Sequence, residues 1–188
     1  MNAKNIVLIL LLAIVFGAGG YWLGTRKSTE DSLQTDSPYA KNYSSANRTV
    51  DYQKVVITLK ERLKDTPDDW AIYARLGDIY FGMRRFEEAI KYYKKAIELN
   101  PDDVDTYNDL GLSNHYIGRS VEGLKYIEEG IKRDPYYHRI WLTKGFILAY
   151  GLGRKDEAEK AWQMALKLDP EGQVGKAAKA YLEEFSKK

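Results

Sequence analysis

The sequence predicts an all-α protein, a solenoid of helical hairpins preceded by an N-terminal transmembrane helix. Three observations lead there. Four of the five prolines, Pro67, Pro101, Pro135 and Pro170, stand 34, 34 and 35 residues apart. A fixed period of that length, with helical patterning between the stops, marks stacked helix–turn–helix units. Within each period small residues recur seven apart, at Ala89/Ala96, Gly123/Gly130 and Ala158/Ala165, with a large apolar residue between them (Tyr93, Ile127, Trp162). Finally, residues 6–23 carry no charge.

That apolar run defines the first element, residues 1–24. Eighteen helical residues span about 27 Å, close to a hydrocarbon core of about 30 Å. Tyr21 and Trp22 sit where an interfacial aromatic belt would lie, and Arg26 and Lys27 follow in the headgroup zone. The competing reading is a cleaved signal segment, since residues 6–16 have the length of an apolar signal core and residues 17–20 are small. Lys4 and the amino terminus oppose Arg26 and Lys27, so charge barely sets the orientation; an extracytoplasmic (periplasmic) domain is favoured.

Residues 25–48 are rich in Ser, Thr, Asn and charge and poor in apolar positions, which predicts a flexible linker. The remainder, 49–188, holds 24 residues of each charge sign. A neutral domain lacks the basic excess that nucleic-acid binding requires. There is no cysteine, which excludes disulfides, thiolate metal sites and thiol nucleophiles.

Inside the domain, full repeats are expected at 70–103, 104–137 and 138–171. Each first helix carries an aromatic residue three before a position ending in glycine: Tyr73 to Leu76-Gly77, Tyr107 to Leu110-Gly111, Trp141 to Lys144-Gly145. The glycine is expected to let the two helices of one hairpin approach closely. Turns are expected near Gly82, Gly118 and Gly153, with one extra residue in the third. Gly123 and Gly130, at positions alanine fills elsewhere, should cost about 1 kcal/mol each and make the second hairpin the soft joint. Residues 51–69 align without gaps on residues 85–103, the second half of the first repeat, and predict a half repeat at 49–69. Residues 172–188, with an apolar stripe at Val174, Ala177, Ala178, Tyr181 and Phe185, predict a capping helix. Eight helices result.

These residues resemble the tetratricopeptide (TPR) repeat family, whose pattern is aromatic-x2-Leu-Gly-x2-Tyr followed by Ala, an aromatic, Ala and Pro. The first repeat matches most fully, through Tyr80, Ala89, Tyr93, Ala96 and Pro101. The resemblance implies a non-catalytic scaffold that grips a protein or peptide in a concave groove lined by the first helices. Its lining positions imply Asp78, Phe81, Asp105, Asn108, Leu112, His115, Tyr116, Arg139, Phe146 and Tyr150 as partner contacts, with Phe146 and Tyr150 able to pack on the capping helix instead. The slots that hold a terminal carboxylate in chaperone-binding relatives contain Ala74, Asp78, Asp109, Arg139 and Thr143, so that clamp is not expected. A narrower likeness, to membrane-anchored TPR subunits of bacterial cytochrome c maturation systems that hold the apocytochrome, rests on Ala161-Trp162-Gln163 before a terminal helix. A structural subunit of an envelope or secretion assembly is the alternative.

His115 and His138 are the only histidines and neither sits in a ligand spacing, so no metal, cofactor, catalytic residue or small-molecule substrate is expected. The expected partners are a protein or peptide and, through residues 1–24, a membrane.

Overall fold

The computed structural model describes residues 52–186, inside a unit spanning 49–188. The predicted anchor and linker fall outside the described residues. Among the described residues there are eight α-helices and no strand: α1 (Tyr52–Asp65), α2 (Trp70–Gly82), α3 (Phe86–Leu99), α4 (Val104–Tyr116), α5 (Ser120–Arg133), α6 (His138–Phe146), α7 (Lys155–Leu168) and α8 (Gln173–Phe185). A π turn, Ile147–Gly151, extends α6. No described helix is long and apolar enough to cross a membrane.

Local chemistry starts the helices where the prolines stop their predecessors. The Asp69 carboxylate accepts from the backbone N–H of Ala71 (3.1 Å) and Ile72 (3.3 Å), satisfying two donors that the helix itself cannot. The Tyr73 hydroxyl donates to the Pro67 carbonyl (3.0 Å) and the Trp141 indole N–H to that of Pro135 (2.8 Å). In the first and third repeats the recurring aromatic therefore ties its helix to the proline turn six residues back. At the far end Asp169 caps α8 through Val174 (3.0 Å) and Gly175 (3.3 Å).

The hairpins α2–α3, α4–α5 and α6–α7 pack as the seven-residue spacing predicts. Each first-helix glycine faces the large residue of its partner helix: a methyl group on Gly77 would lie 2.4 Å from the Tyr93 ring, on Gly111 2.6 Å from Ile127, and on Gly145 2.2 Å from the Trp162 indole. α1 stacks on the first hairpin, with Val55, Val56, Leu59 and Leu63 against Ile72, Leu76 and Ile79. Tyr52, at the start of α1, is exposed. At the other end Trp162 lies parallel to Tyr181 (centroids 4.9 Å, 14°), which docks α8 and gives the Ala161-Trp162-Gln163 stretch a core role.

Two expectations need correction. The extra residue of the third hairpin is not in its turn. Residues with positive φ, Arg84, Gly118 and Gly153, stand two positions before α3, α5 and α7 alike. The surplus lies upstream, absorbed as the π turn, so the Arg154 N–H reaches six residues back to Leu148 whereas Arg85 and Arg119 reach five back to Tyr80 and Asn114. In the first hairpin the left-handed residue is Arg84 rather than Gly82.

The helical glycines are not soft points either. A methyl on Gly123 would stand 2.4 Å from the Gly111 carbonyl oxygen, and one on Gly130 would strike Ile140 (2.5 Å) and Tyr107 (2.9 Å). Asn114 replaces the larger Tyr80 at the same crossing and satisfies itself on the Leu110 carbonyl (2.8 Å). The backbones of α4 and α5 thus touch where alanine would hold them apart. Gly123→Ala is expected to lower stability by about 2 kcal/mol, because clash with a backbone atom outweighs the gain in helix propensity. A higher urea midpoint for the variant would contradict this.

Candidate interaction groove

First helices touch each other across the hairpins, α4 meeting both α2 and α6, while α3, α5 and α7 stand farther apart. The α2, α4 and α6 layer is therefore the inner face, as the resemblance implies. Its two ends differ in chemistry.

Near the helix starts the face is polar. Arg139 on α6 spans to α4, its guanidinium donating to Asp105 (3.1 Å) and Asp109 (3.0 Å). Tyr137, just before α6, donates its hydroxyl to Asp105. Asn108 donates to Asp109 (2.8 Å), and the Tyr93 hydroxyl from α3 donates to Asp78 (3.1 Å). Burial drives the titration here. It raises Asp109 to about 6, with Arg139 pulling the other way, and raises Asp78 against the opposing Tyr93 hydrogen bond. The Tyr137 hydroxyl is pushed upward by burial and by its bond to Asp105.

Toward the turns the face is aromatic. Ring centroids run from Phe81 to Tyr116 (5.8 Å), Tyr116 to His115 (5.6 Å), His115 to Phe146 (5.2 Å) and Phe146 to Tyr150 (5.0 Å). Phe86 joins Tyr116 at 4.8 Å, and Tyr150 meets Phe185 of α8 at 5.7 Å. These ring contacts let one edge carry the apolar seam from the first hairpin into the cap.

Of the ten predicted lining residues, Asp78, Asp105, His115, Tyr116, Arg139 and Tyr150 keep accessible surface and lie on this one face. Asn108 (0% exposed), Leu112 (1%) and Phe146 (2%) are instead buried, and Phe81 nearly so. The reasons are local: α4 is flanked by first helices on both sides, Phe146 packs beneath α8 against Tyr181 (6.4 Å), and Phe81 packs against Phe86 (5.4 Å) and Tyr116. Sequence reasoning missed Asp109 and Tyr137 as members of the polar network. A signal existed: Asp105 and Arg139 are 34 residues apart, the repeat period itself, which places them side by side on neighbouring first helices.

His115 is a half-buried neutral base. Its Nδ1 lies 3.0 Å from the Ser120 hydroxyl, and burial lowers its pKa to about 4. The unfolded chain takes up a proton as pH falls through about 6.5, while the folded chain resists until about 4, so this residue withdraws stability across that window. Asp109 acts oppositely, adding stability as pH falls below about 6. His115→Asn should thus compare more favourably with the parent at pH 4.5 than at pH 7.5, by about 2 kcal/mol. Urea unfolding at the two pH values checks it; an unchanged difference would contradict it.

Among the described residues no group of three or more His, Cys, Asp or Glu side chains is placed to hold a metal.

Family models described as tetratricopeptide repeat match residues 70–103 and 92–125. Comparison with curated proteins gave no match. Among solved structures, the chain is similar to the crystal structure of MamA (20% identity over 73% of this chain and 88% of that one, TM-score 0.61). It is similar to the Yersinia enterocolitica type III secretion translocator chaperone SycD (20%, 63% and 92%, 0.60). A third likeness is to the first TPR of Spaghetti (RPAP3) bound to an HSP90 peptide (18%, 63% and 90%, 0.58). At these identities the likeness is one of fold.

Proposed function

We propose, on the premise that this chain is a tetratricopeptide-repeat protein, that it is a non-catalytic scaffold whose inner face holds a segment of a protein partner beside a membrane. One observation carries the reading: accessible Asp78, Asp105, His115, Tyr116, Arg139 and Tyr150 lie together on the α2–α4–α6 face, joining polar groups that fix register to aromatic rings that supply contact area. The Spaghetti domain was solved with an HSP90 peptide, and the second TPR domain of human RPAP3 with an HSP70 peptide, which supports the same use of the fold here.

Residues 1–24 serve as the anchor and 25–48 as a linker, with the repeats on the extracytoplasmic side. Confinement at one surface raises the effective concentration of a weak groove contact. A photocrosslinking residue at Tyr116 in intact cells should capture a defined partner that the same residue at Tyr136 does not. Capture from Tyr136 alone would favour a structural subunit using its outer surface. A C-terminal alkaline phosphatase fusion tests the side: activity is expected, and an inactive fusion would place the repeats in the cytoplasm.

A further inference from the structure

The polar end of the groove holds more acceptors than donors. Asp105 receives both Tyr137 and Arg139 on its Oδ1, and Asp109 receives both Asn108 and Arg139 on its Oδ1. The second oxygen of each carboxylate therefore has no donor among the described residues. Between them on the same helix stands Asn108, fully buried, pinned through its Nδ2 to Asp109, and its Oδ1 has no hydrogen-bond partner. Buried polar atoms are nearly always paired, so an orphan acceptor beside two carboxylates marks a place that a donor completes.

Charge points the same way. Three carboxylates, Asp78, Asp105 and Asp109, gather across α2 and α4: the Asp105 charge raises the pKa of Asp78, and the charges of Asp78 and Asp105 raise that of Asp109, each beyond the larger effect of burial. Against them stand Arg139, whose terminal nitrogens already serve Asp105 and Asp109, and Arg75, a solvent-exposed group 3.7 Å from Asp78. The Asp105 side chain remains 58% exposed and that of Asp109 11%, so the groove meets the cluster at Asp105.

We propose that this end of the groove binds the ammonium or guanidinium group of a lysine or arginine in the partner's peptide segment, with Asp105 as the acceptor that meets it and the buried Asp109 and Asn108 behind. The inference rests on the groove-binding reading and narrows it. A cationic side chain supplies three or more N–H donors to an acceptor-rich hole and offsets its net negative charge. A chain-terminal carboxylate would meet Asp78, Asp105 and Asp109 and be repelled. The aromatic edge through Tyr116 then carries the neighbouring apolar residues of the same segment.

The test uses the full-length protein in detergent micelles and an array of N-acetylated twelve-residue peptides of random sequence, each with a free or an amidated C-terminus. The strongest binders should share a lysine or arginine and be indifferent to amidation. Changing that lysine to norleucine should weaken binding at least about ten-fold. Asp105→Asn on the protein should produce a comparable loss, and raised salt should weaken the parent complex. The peptide-side substitution needs no variant protein and keeps the result readable if Asp105→Asn folds poorly. Binders that lack a basic residue yet lose affinity on Tyr116→Ala would overturn the cation assignment and leave groove binding standing. A requirement for a free carboxylate would overturn it as well. If no peptide binds, the groove reading falls with it.

Discussion

Trp162→Ala is expected to destabilise the domain by roughly 3–5 kcal/mol and to release its C-terminal end first. The indole is fully buried, fills the cleft left by Gly145, stacks on Tyr181 and meets Phe185 edge-on at 5.0 Å, and donates to the Leu142 carbonyl at 3.3 Å. Truncation leaves a cavity that glycine on the facing helix cannot fill. α8 has its main aromatic footing on this ring, so the loss is local in origin. In a stacked array each hairpin holds only its neighbours, which makes stability close to a sum of adjacent contacts. Amide hydrogen exchange should accordingly show protection lost over α6–α8 while α2–α5 keep theirs. Uniform loss across all helices would show that the array unfolds as one unit.

Arg139→Met is expected to cost about 3 kcal/mol at pH 7 and markedly less at pH 5. Methionine keeps most of the apolar stem, so the change removes chiefly the guanidinium shared by Asp105 and Asp109. Asp109 then carries a buried charge with no counter-ion, a far costlier state than an exposed broken pair. Burial already holds its pKa near 6 with Arg139 present, and removing the cation raises it further. At pH 5 the carboxyl is therefore protonated and the penalty largely gone. Urea midpoints at the two pH values read this directly, and Asp109→Asn in the same background should restore most of the loss at pH 7. An equal penalty at both pH values would show that the stem, not the charge, is what counts.

The fold was legible because its period is written in residues with few alternatives. A proline cannot continue a helix, and Gly77, Gly111 and Gly145 admit no side chain against Tyr93, Ile127 and Trp162. Whether an extra residue swells a turn or a helix is another matter. Residues 147–151 carry no local mark of a π turn; the identical spacing of Arg84, Gly118 and Gly153 to the following helices settles it only once φ is known. The glycines of α5 were misjudged because propensity describes a helix alone, while the oxygen that excludes a methyl from Gly123 belongs to Gly111, twelve residues away. The groove divides similarly. The family resemblance put Asp105, Tyr116 and Arg139 on one face, but burial of Asn108 and Leu112 depends on how closely α2 and α6 flank α4.

The contact between Gly111 and Gly123 has a consequence for how such a chain could grow or shrink. Its middle hairpin is not a spare part. Neither neighbour offers a pair of bare backbones at that crossing, and only α6 presents an arginine to the carboxylates of α4. A duplicated copy of residues 104–137 would set one α4 against a helix with no arginine to answer its carboxylates, so such an insertion is expected to weaken the array at that joint.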